Sequence, residues 1–137
     1  MTETEKPRIR VVAAVIEQDG NYLITQRMPH AVMPLLWEFP GGKVEPGETD
    51  AVALARELAE EMAIAVHVGD ELLGVVKEYE RYMLDFHVYL CNLLSDDIKK
   101  IGVHDYKWVT SEEMEKYPFP AADQETVEAL LKDNMYD

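Results

Sequence analysis

The stretch RELAEEMAI, residues 56–64, sets three glutamates, Glu57, Glu60 and Glu61, at spacings of three and four. Read as a helix, these spacings put the carboxylates on one face, where like charges destabilise a helix by about 0.2–0.5 kcal/mol per pair. Such a face is either solvated or the seat of a cation. Mg²⁺ and Mn²⁺ are hard ions that prefer carboxylate, carbonyl and water oxygens. Three carboxylates on one face could hold one or more of them and leave positions open for phosphate oxygens. Arg56 stands one turn before Glu60 and could fix its carboxylate through an i,i+4 pair. Glu48, further upstream, could orient water or a metal ion from behind the direct ligands. Gly41 and Gly42 allow a backbone to approach such a site closely.

These residues need elements to hold them. The spacing predicts a helix from about Thr49 to Met62, with Thr49 as N-cap and Asp50 in the first turn. Ala51, Leu54, Ala55, Leu58 and Met62 form its apolar stripe, centred roughly 120° from the glutamates. One side should then bury against a sheet while the carboxylates face an open cleft. IRVVAAVIEQ (9–18) and NYLITQR (21–27) read as strands joined at Asp19-Gly20, a strong hairpin signal. Residues 28–48 carry four prolines and three glycines and should be mostly loop. Further strands are expected near 65–76, 82–94 and 105–110. Thr110 and Glu113 make a capping box. A last helix should start near Asp123, with Val127, Leu130 and Leu131 turned inward. Strands and helices in this irregular order imply an α/β sandwich with a mixed sheet.

The 137 residues suit one domain, 1–137, with a real core. With 27 acidic and 13 basic residues the net charge is −14, which opposes binding to a nucleic-acid polymer. It does not oppose a small phosphorylated substrate, because bound divalent cations reverse the local sign. No apolar run approaches a membrane span, and the polar start MTETEKPRIR lacks the apolar core of a signal peptide. The lone Cys91 allows no intrachain disulfide. A cytoplasmic protein, monomer or homodimer, is the expectation.

The stretch GKVEPGETDAVALARELAEEMAI, 42–64, resembles the signature of the Nudix hydrolases. Gly42, Glu48, Arg56, Glu57, Leu58, Glu60, Glu61 and Ile64 stand in their places. The family's glycine near the end is Ala63 here; glycine there normally eases the chain out of the helix. LWEFPGGKVEPGET, the preceding hairpin and FPAAD (119–123) are similar to the MutT-type branch, so the resemblance spans most of the chain. It implies a Nudix-type α/β/α sandwich with a mixed β-sheet. It also implies metal-dependent attack of water on a phosphorus of a diphosphate linkage. A nucleoside triphosphate would give a nucleoside monophosphate and pyrophosphate, with Mg²⁺, or Mn²⁺, as cofactor. Glu57, Glu60, Glu61 and the Gly41 carbonyl would be metal ligands, with Glu57 as general base or water-orienting group and Glu48 and Arg56 in support. A later loop in that branch often supplies a glutamate six residues before a tryptophan; here that position is Gly102, with His104 and Asp105 nearby. Asp105 is a possible substitute.

Arg27 ends the second strand, where related enzymes hold phosphate or base; otherwise it is an arginine lying over apolar surface. Phe39 is either core or, as the family pattern places WEFPG (37–41), a wall beside the nucleotide with Gly42. Asp123 either caps the last helix or reads the base. The branch acting on oxidised guanine commonly has asparagine there, and relatives acting on cytidine nucleotides have aspartate. A carboxylate accepts only, which suits an exocyclic amine or a protonated ring nitrogen. His30, His67, His87 and His104 show no metal-ligand spacing, and His87 and Cys91 read as structural. The alternatives to an oxidised-purine (8-oxo-dGTP) or cytidine-type triphosphate are another nucleoside diphosphate derivative, or a non-catalytic nucleotide-sensing module.

Overall fold

A computed structural model describes residues 6–95 and 97–135. Strand β1 (Arg8–Gln18) turns through Asp19 and Gly20 into β2 (Asn21–Gln26). Both turn residues have positive φ, 53° and 82°, the conformation that a two-residue hairpin turn demands. Two short strands follow, β3 (Trp37–Glu38) and β4 (Gly41–Lys43), before helix α1 (Asp50–Met62). Then come β5 (Val66–Glu78), β6 (Met83–Leu93) and β7 (Asp105–Val109), a 3-10 turn at Glu113–Lys116, and helix α2 (Ala121–Met135).

The sheet is mixed. β1 runs parallel to β6, from Arg8 opposite Met83 to Ile16 opposite Cys91. β5 pairs antiparallel with β6, β4 with β1, and β7 and β3 with β2. β3 and β4 lie within the stretch expected to be mostly loop; their neighbours in space, β2 and β1, supply the hydrogen bonds that the local proline-rich sequence could not announce.

Because side chains alternate along a strand, β1 feeds two cores. Ala13 and Val15 pack with Trp37, Phe86, Met114 and Val127 on the α2 side. Val12, Ala14 and Ile16 pack with Leu54, Leu58 and Met62 on the α1 side. A sheet between two helices is the expected α/β sandwich. Cys91 is buried in the second core, and burial pushes its thiol up to about 11. Thr110 and Glu113 exchange the anticipated hydrogen bonds: the Glu113 N–H donates to Thr110 Oγ1 (3.2 Å) and the Thr110 N–H to Glu113 Oε1 (2.9 Å).

Helix α1 is anchored at both ends. The Val52 N–H donates to the Thr49 hydroxyl (3.2 Å), and Arg10 of β1 forks onto Asp50, both contacts 2.7 Å. The Tyr89 hydroxyl also donates to Asp50. The Arg10 hydrogen bond is the main reason that the Asp50 carboxyl falls to about 2. At the other end Ala63 takes the left-handed conformation (φ 57°, ψ 34°) and its N–H donates to the Ala59 carbonyl. The chain thus leaves the helix by the glycine-type exit without glycine, at a steric cost.

The buried side of α1 differs from the expected stripe. Ala53, Leu54, Leu58 and Met62 are buried, and Ala51 is exposed. At about 100° per residue, Glu57 and Glu61 lie between Ala53 and Leu54 and belong to the buried arc. The three glutamates therefore do not share one open face. The Glu60 side chain is 60% exposed and that of Glu57 only 17%.

α2 begins at Ala121, two residues earlier than expected, so Asp123 sits inside the first turn and does not cap the helix. Its N–H donates to the Pro120 carbonyl (3.0 Å), and the residue is buried. Val127 and Leu130 turn inward as expected. His87 lies between Glu71 Oε2 and Asp85 Oδ1, 2.8 Å from each, a structural bridge between β5 and β6.

Candidate active site

β4 brings the backbone against α1. Gly41 and Gly42 pair with Ala13 and Val12. A Cβ on Gly41 would lie 1.9 Å from the Val12 carbonyl oxygen, and one on Gly42 would lie 2.2 Å from Glu57 Oε2. A side chain at Gly41 is excluded by backbone, whereas one at Gly42 would push the Glu57 carboxylate aside.

Arg56 ties the loop after β4 to the helix. It reaches Glu48 through two hydrogen bonds, Nε to Oε2 (2.6 Å) and Nη2 to Oε1 (2.9 Å). The same guanidinium donates to the Lys43 carbonyl (3.1 Å), to Glu57 (3.1 Å) and to Glu60 (3.2 Å). The anticipated Arg56–Glu60 pair is present, yet the fork onto Glu48 is the shorter bond. That fork holds the Glu48 carboxyl below the usual carboxylate range. A guanidinium suits this task because its planar fork matches a carboxylate two bonds at a time.

Burial raises Glu57, although Arg56 partly opposes it. Burial, reinforced by Glu57 and Glu38, pushes Glu61 up to about 8. Neighbouring carboxylates in a half-dry site leave negative charge uncompensated, and a hard divalent cation relieves that. The donor set thus fits such an ion by chemistry. Among the described residues no three His, Cys, Asp or Glu side chains are already gathered to ligand distance.

On the other side of Gly42 the structure opens a chamber of about 240 Å³, lined among others by Arg27, Glu38, Gly41, Gly42, Glu61 and Asp123. Arg27 donates to Glu38 Oε1 (3.0 Å) and to the Val32 carbonyl (2.6 Å). Burial pushes Asp123 well up, and the charge of Glu38 adds to it, while the Phe39 N–H and Arg27 pull the other way. The acceptor-only carboxylate assumed for Asp123 gives way to an environment that favours its protonated form. Phe39 borders the chamber, yet it is 2% exposed and stacks on Phe119 at 5.6 Å, so it is chiefly a core residue.

Arg27, Gly41, Gly42, Glu57, Glu61 and Asp123 are thus brought together, with Glu48, Arg56 and Glu60 one layer away. Asp105 and His104 do not line the chamber. Asp105 accepts from the Tyr106 N–H and faces Lys100 at 3.7 Å. Gly102, where the loop glutamate is absent, donates from its N–H to the Glu61 carbonyl (2.9 Å) and lies flat against α1. Glu38 was not singled out from the sequence. It sits within WEFPG, and burial raises its carboxyl against the pull of Arg27. Its place beside Phe39 in that stretch was the available signal.

The model of the NUDIX domain matches residues 11–129. The chain belongs to the Nudix hydrolase family. It is 36% identical over 126 residues to the CTP pyrophosphohydrolase of Escherichia coli (strain K12), covering 90% of this chain and 91% of that protein. It is 31% identical over 131 residues to the 8-oxo-dGTP diphosphatase of Haemophilus influenzae, covering 94% and 96%. The crystal structure of the MutT protein from Methanosarcina mazei Go1 superposes with a TM-score of 0.84 at 28% identity, covering 96% and 99%. The Nudix helix of the family is α1, and the departures from its pattern, Ala63 and Gly102, both lie at the end of that helix away from Thr49.

Proposed function

We propose that this Nudix hydrolase, acting as one domain over 1–137, splits nucleoside triphosphates into nucleoside monophosphate and pyrophosphate with Mg²⁺, Mn²⁺ serving in its place. The observation that carries the reading is a chamber lined by Glu61, Glu38 and Asp123 together with Gly42, against which the Glu57 carboxylate lies. One end suits a metal-bound phosphate chain and the other a hydrogen-bonding base. Glu57, Glu60, Glu61 and the Gly41 carbonyl would hold the ion, which when bound neutralises phosphate charge and makes coordinated water more acidic.

The chain's own groups do the remaining work. Glu57 accepts a proton from the attacking water or orients it, and its raised pKa brings it closer to the working range of a base. Arg56 and Glu48 fix the helix against the loop so that Glu57 keeps its aim. Arg27 supplies positive charge at the chamber wall. Gly42 gives the phosphate chain close access to the backbone. A protonated Asp123 offers one donor and one acceptor. That pair matches the ring nitrogen and exocyclic amine of cytosine, and equally the carbonyl and ring N–H of an oxidised guanine. These are the bases that the names of the CTP and 8-oxo-dGTP relatives carry.

Pyrophosphate release with Mg²⁺ over a panel of nucleoside triphosphates, including 8-oxo-dGTP and CTP, tests the reading. Glu57→Gln should lower kcat by at least about 100-fold, the usual scale for losing a positioned base. Asp123→Asn should change the order of preferred bases. Absence of turnover across the panel, or full turnover by Glu57→Gln, would sink it.

A further inference from the structure

Next to the catalytic chamber lies a second, larger space of about 470 Å³. The two share Arg27, Glu38 and Asp123, and also Val11, Lys43 and Phe86, so they form one continuous recess. The outer space takes its walls from Tyr79 and Tyr82 of the β5–β6 hairpin and from Val32 and Met33 of the loop after β2. Its polar side chains, the tyrosine hydroxyls apart, are those shared with the inner chamber.

Both outer walls are held in place. Tyr79 and Tyr82 stack at 5.0 Å with 20° between their rings, at the tip of the β5–β6 hairpin. The Tyr79 N–H donates to the Tyr82 carbonyl (2.8 Å), which closes a tight turn. Lys6 donates to the Tyr79 carbonyl (2.9 Å) and to Glu78 (2.6 Å), tethering that tip. In the loop after β2, Met33 and Leu35 adopt left-handed φ, 55° and 63°, which costs side chains of this kind free energy. The loop keeps this shape because Arg27 donates to the Val32 carbonyl and Gln26 to the Leu35 carbonyl. Its result is an exposed pair, Val32 at 77% and Met33 at 37%, lining the same space as the two aromatic rings. Water-exposed apolar groups and two aromatic rings lining one space, with the charged side chains all shared with the inner chamber, suit a flat ring with polar atoms on one edge.

We propose that Tyr79 and Tyr82, together with Met33, are specificity-determining residues that select the substrate's base by its flat apolar area, with room for an apolar substituent on the edge turned away from Asp123. The inference rests on the nucleotide reading above. A base engaged by Glu38 and Asp123 reaches the outer space directly, because both residues line it as well as the inner chamber. Tyr79, Tyr82 and Asp123 line the same outer space, so one base can reach them together. A substituent that leaves the inner polar edge unchanged then gains stacking surface and loses nothing.

The test compares KM and kcat of the wild type for dCTP, 5-methyl-dCTP and 5-propynyl-dCTP, and for dGTP beside 7-propynyl-7-deaza-dGTP. The series containing the better substrate carries the result. KM should fall about fivefold or more from the plain base to the propynyl base, with kcat within threefold. Tyr79→Ala/Tyr82→Ala should raise KM for the plain base about tenfold, the scale of one lost base–aromatic stack, and should flatten the series. Tyr79→Phe/Tyr82→Phe should keep both. If the double alanine variant does not fold, Tyr82→Ala and Met33→Ala carry the same comparison. A flat series in the wild type, or a gradient that survives in the alanine variants, overturns the inference while the nucleotide reading stands. Wild-type inactivity on every triphosphate overturns the nucleotide reading and the inference with it.

Discussion

Gly41 and Gly42 are adjacent, yet their replacement by alanine should have separable consequences. At Gly41 the added Cβ meets the backbone of Val12, which cannot move without breaking the β1–β4 pairing. Gly41→Ala should lower stability by about 3 kcal/mol, the upper range for overpacking, seen as a thermal midpoint roughly 10 °C lower. At Gly42 the Cβ meets only the Glu57 carboxylate, the mobile end of a side chain. Gly42→Ala should keep its midpoint within about 2 °C and lose about 100-fold in kcat, because a catalytic group displaced by an ångström costs that much. Equal losses of stability in the two variants would contradict this account. Both glycines and the three glutamates were legible in the sequence as chemistry. That Glu57 and Glu61 are half-dry while Glu60 is wet was not, since the buried arc of α1 includes Ala53 and not Ala51. Glu38 went unread for a similar reason: a glutamate between Trp37 and Phe39 gains meaning only when Arg27 and Asp123 arrive beside it.

At the scale of elements, α1 is well determined locally. Thr49, Asp50 and the Leu54–Leu58–Met62 ladder place it to within a residue. Its exit is the weak point, because Ala63 occupies a left-handed conformation that glycine adopts freely. Ala63→Gly should stabilise the protein by about 1 kcal/mol, raising the thermal midpoint by about 3 °C, with KM unchanged. A lower midpoint in a melting curve would show that the exit is set by packing and not by φ. The short strands β3 and β4 lie at the other extreme. Prolines and glycines around them signal loop, and only pairing with β2 and β1 makes them strands. α2 likewise starts two residues early, which moves Asp123 from a capping position to a buried one in the chamber wall.

For the whole molecule, the net charge of −14 makes the carboxylates of the site part of a larger self-repulsion. Glu61 is where burial makes that repulsion most costly, being raised to about 8 by desolvation and by Glu57 and Glu38. Glu61→Gln removes a carboxylate that nothing fully pairs, so in EDTA it should melt a few degrees higher than the wild type. Millimolar Mg²⁺ should raise the wild-type midpoint by more than NaCl of equal ionic strength does, through binding to the folded state. In Glu61→Gln that excess should vanish. The family, the α/β class, the helix and the identity of the charged groups on it can all be read along the chain, because spacing and turn residues are local and survive any packing. Their environment had to wait for the fold: which carboxylates dry out, that Asp123 faces a chamber, and that a tyrosine hairpin and Met33 line one space. Those facts depend on segments distant in sequence meeting in space, and no local pattern encodes such a meeting.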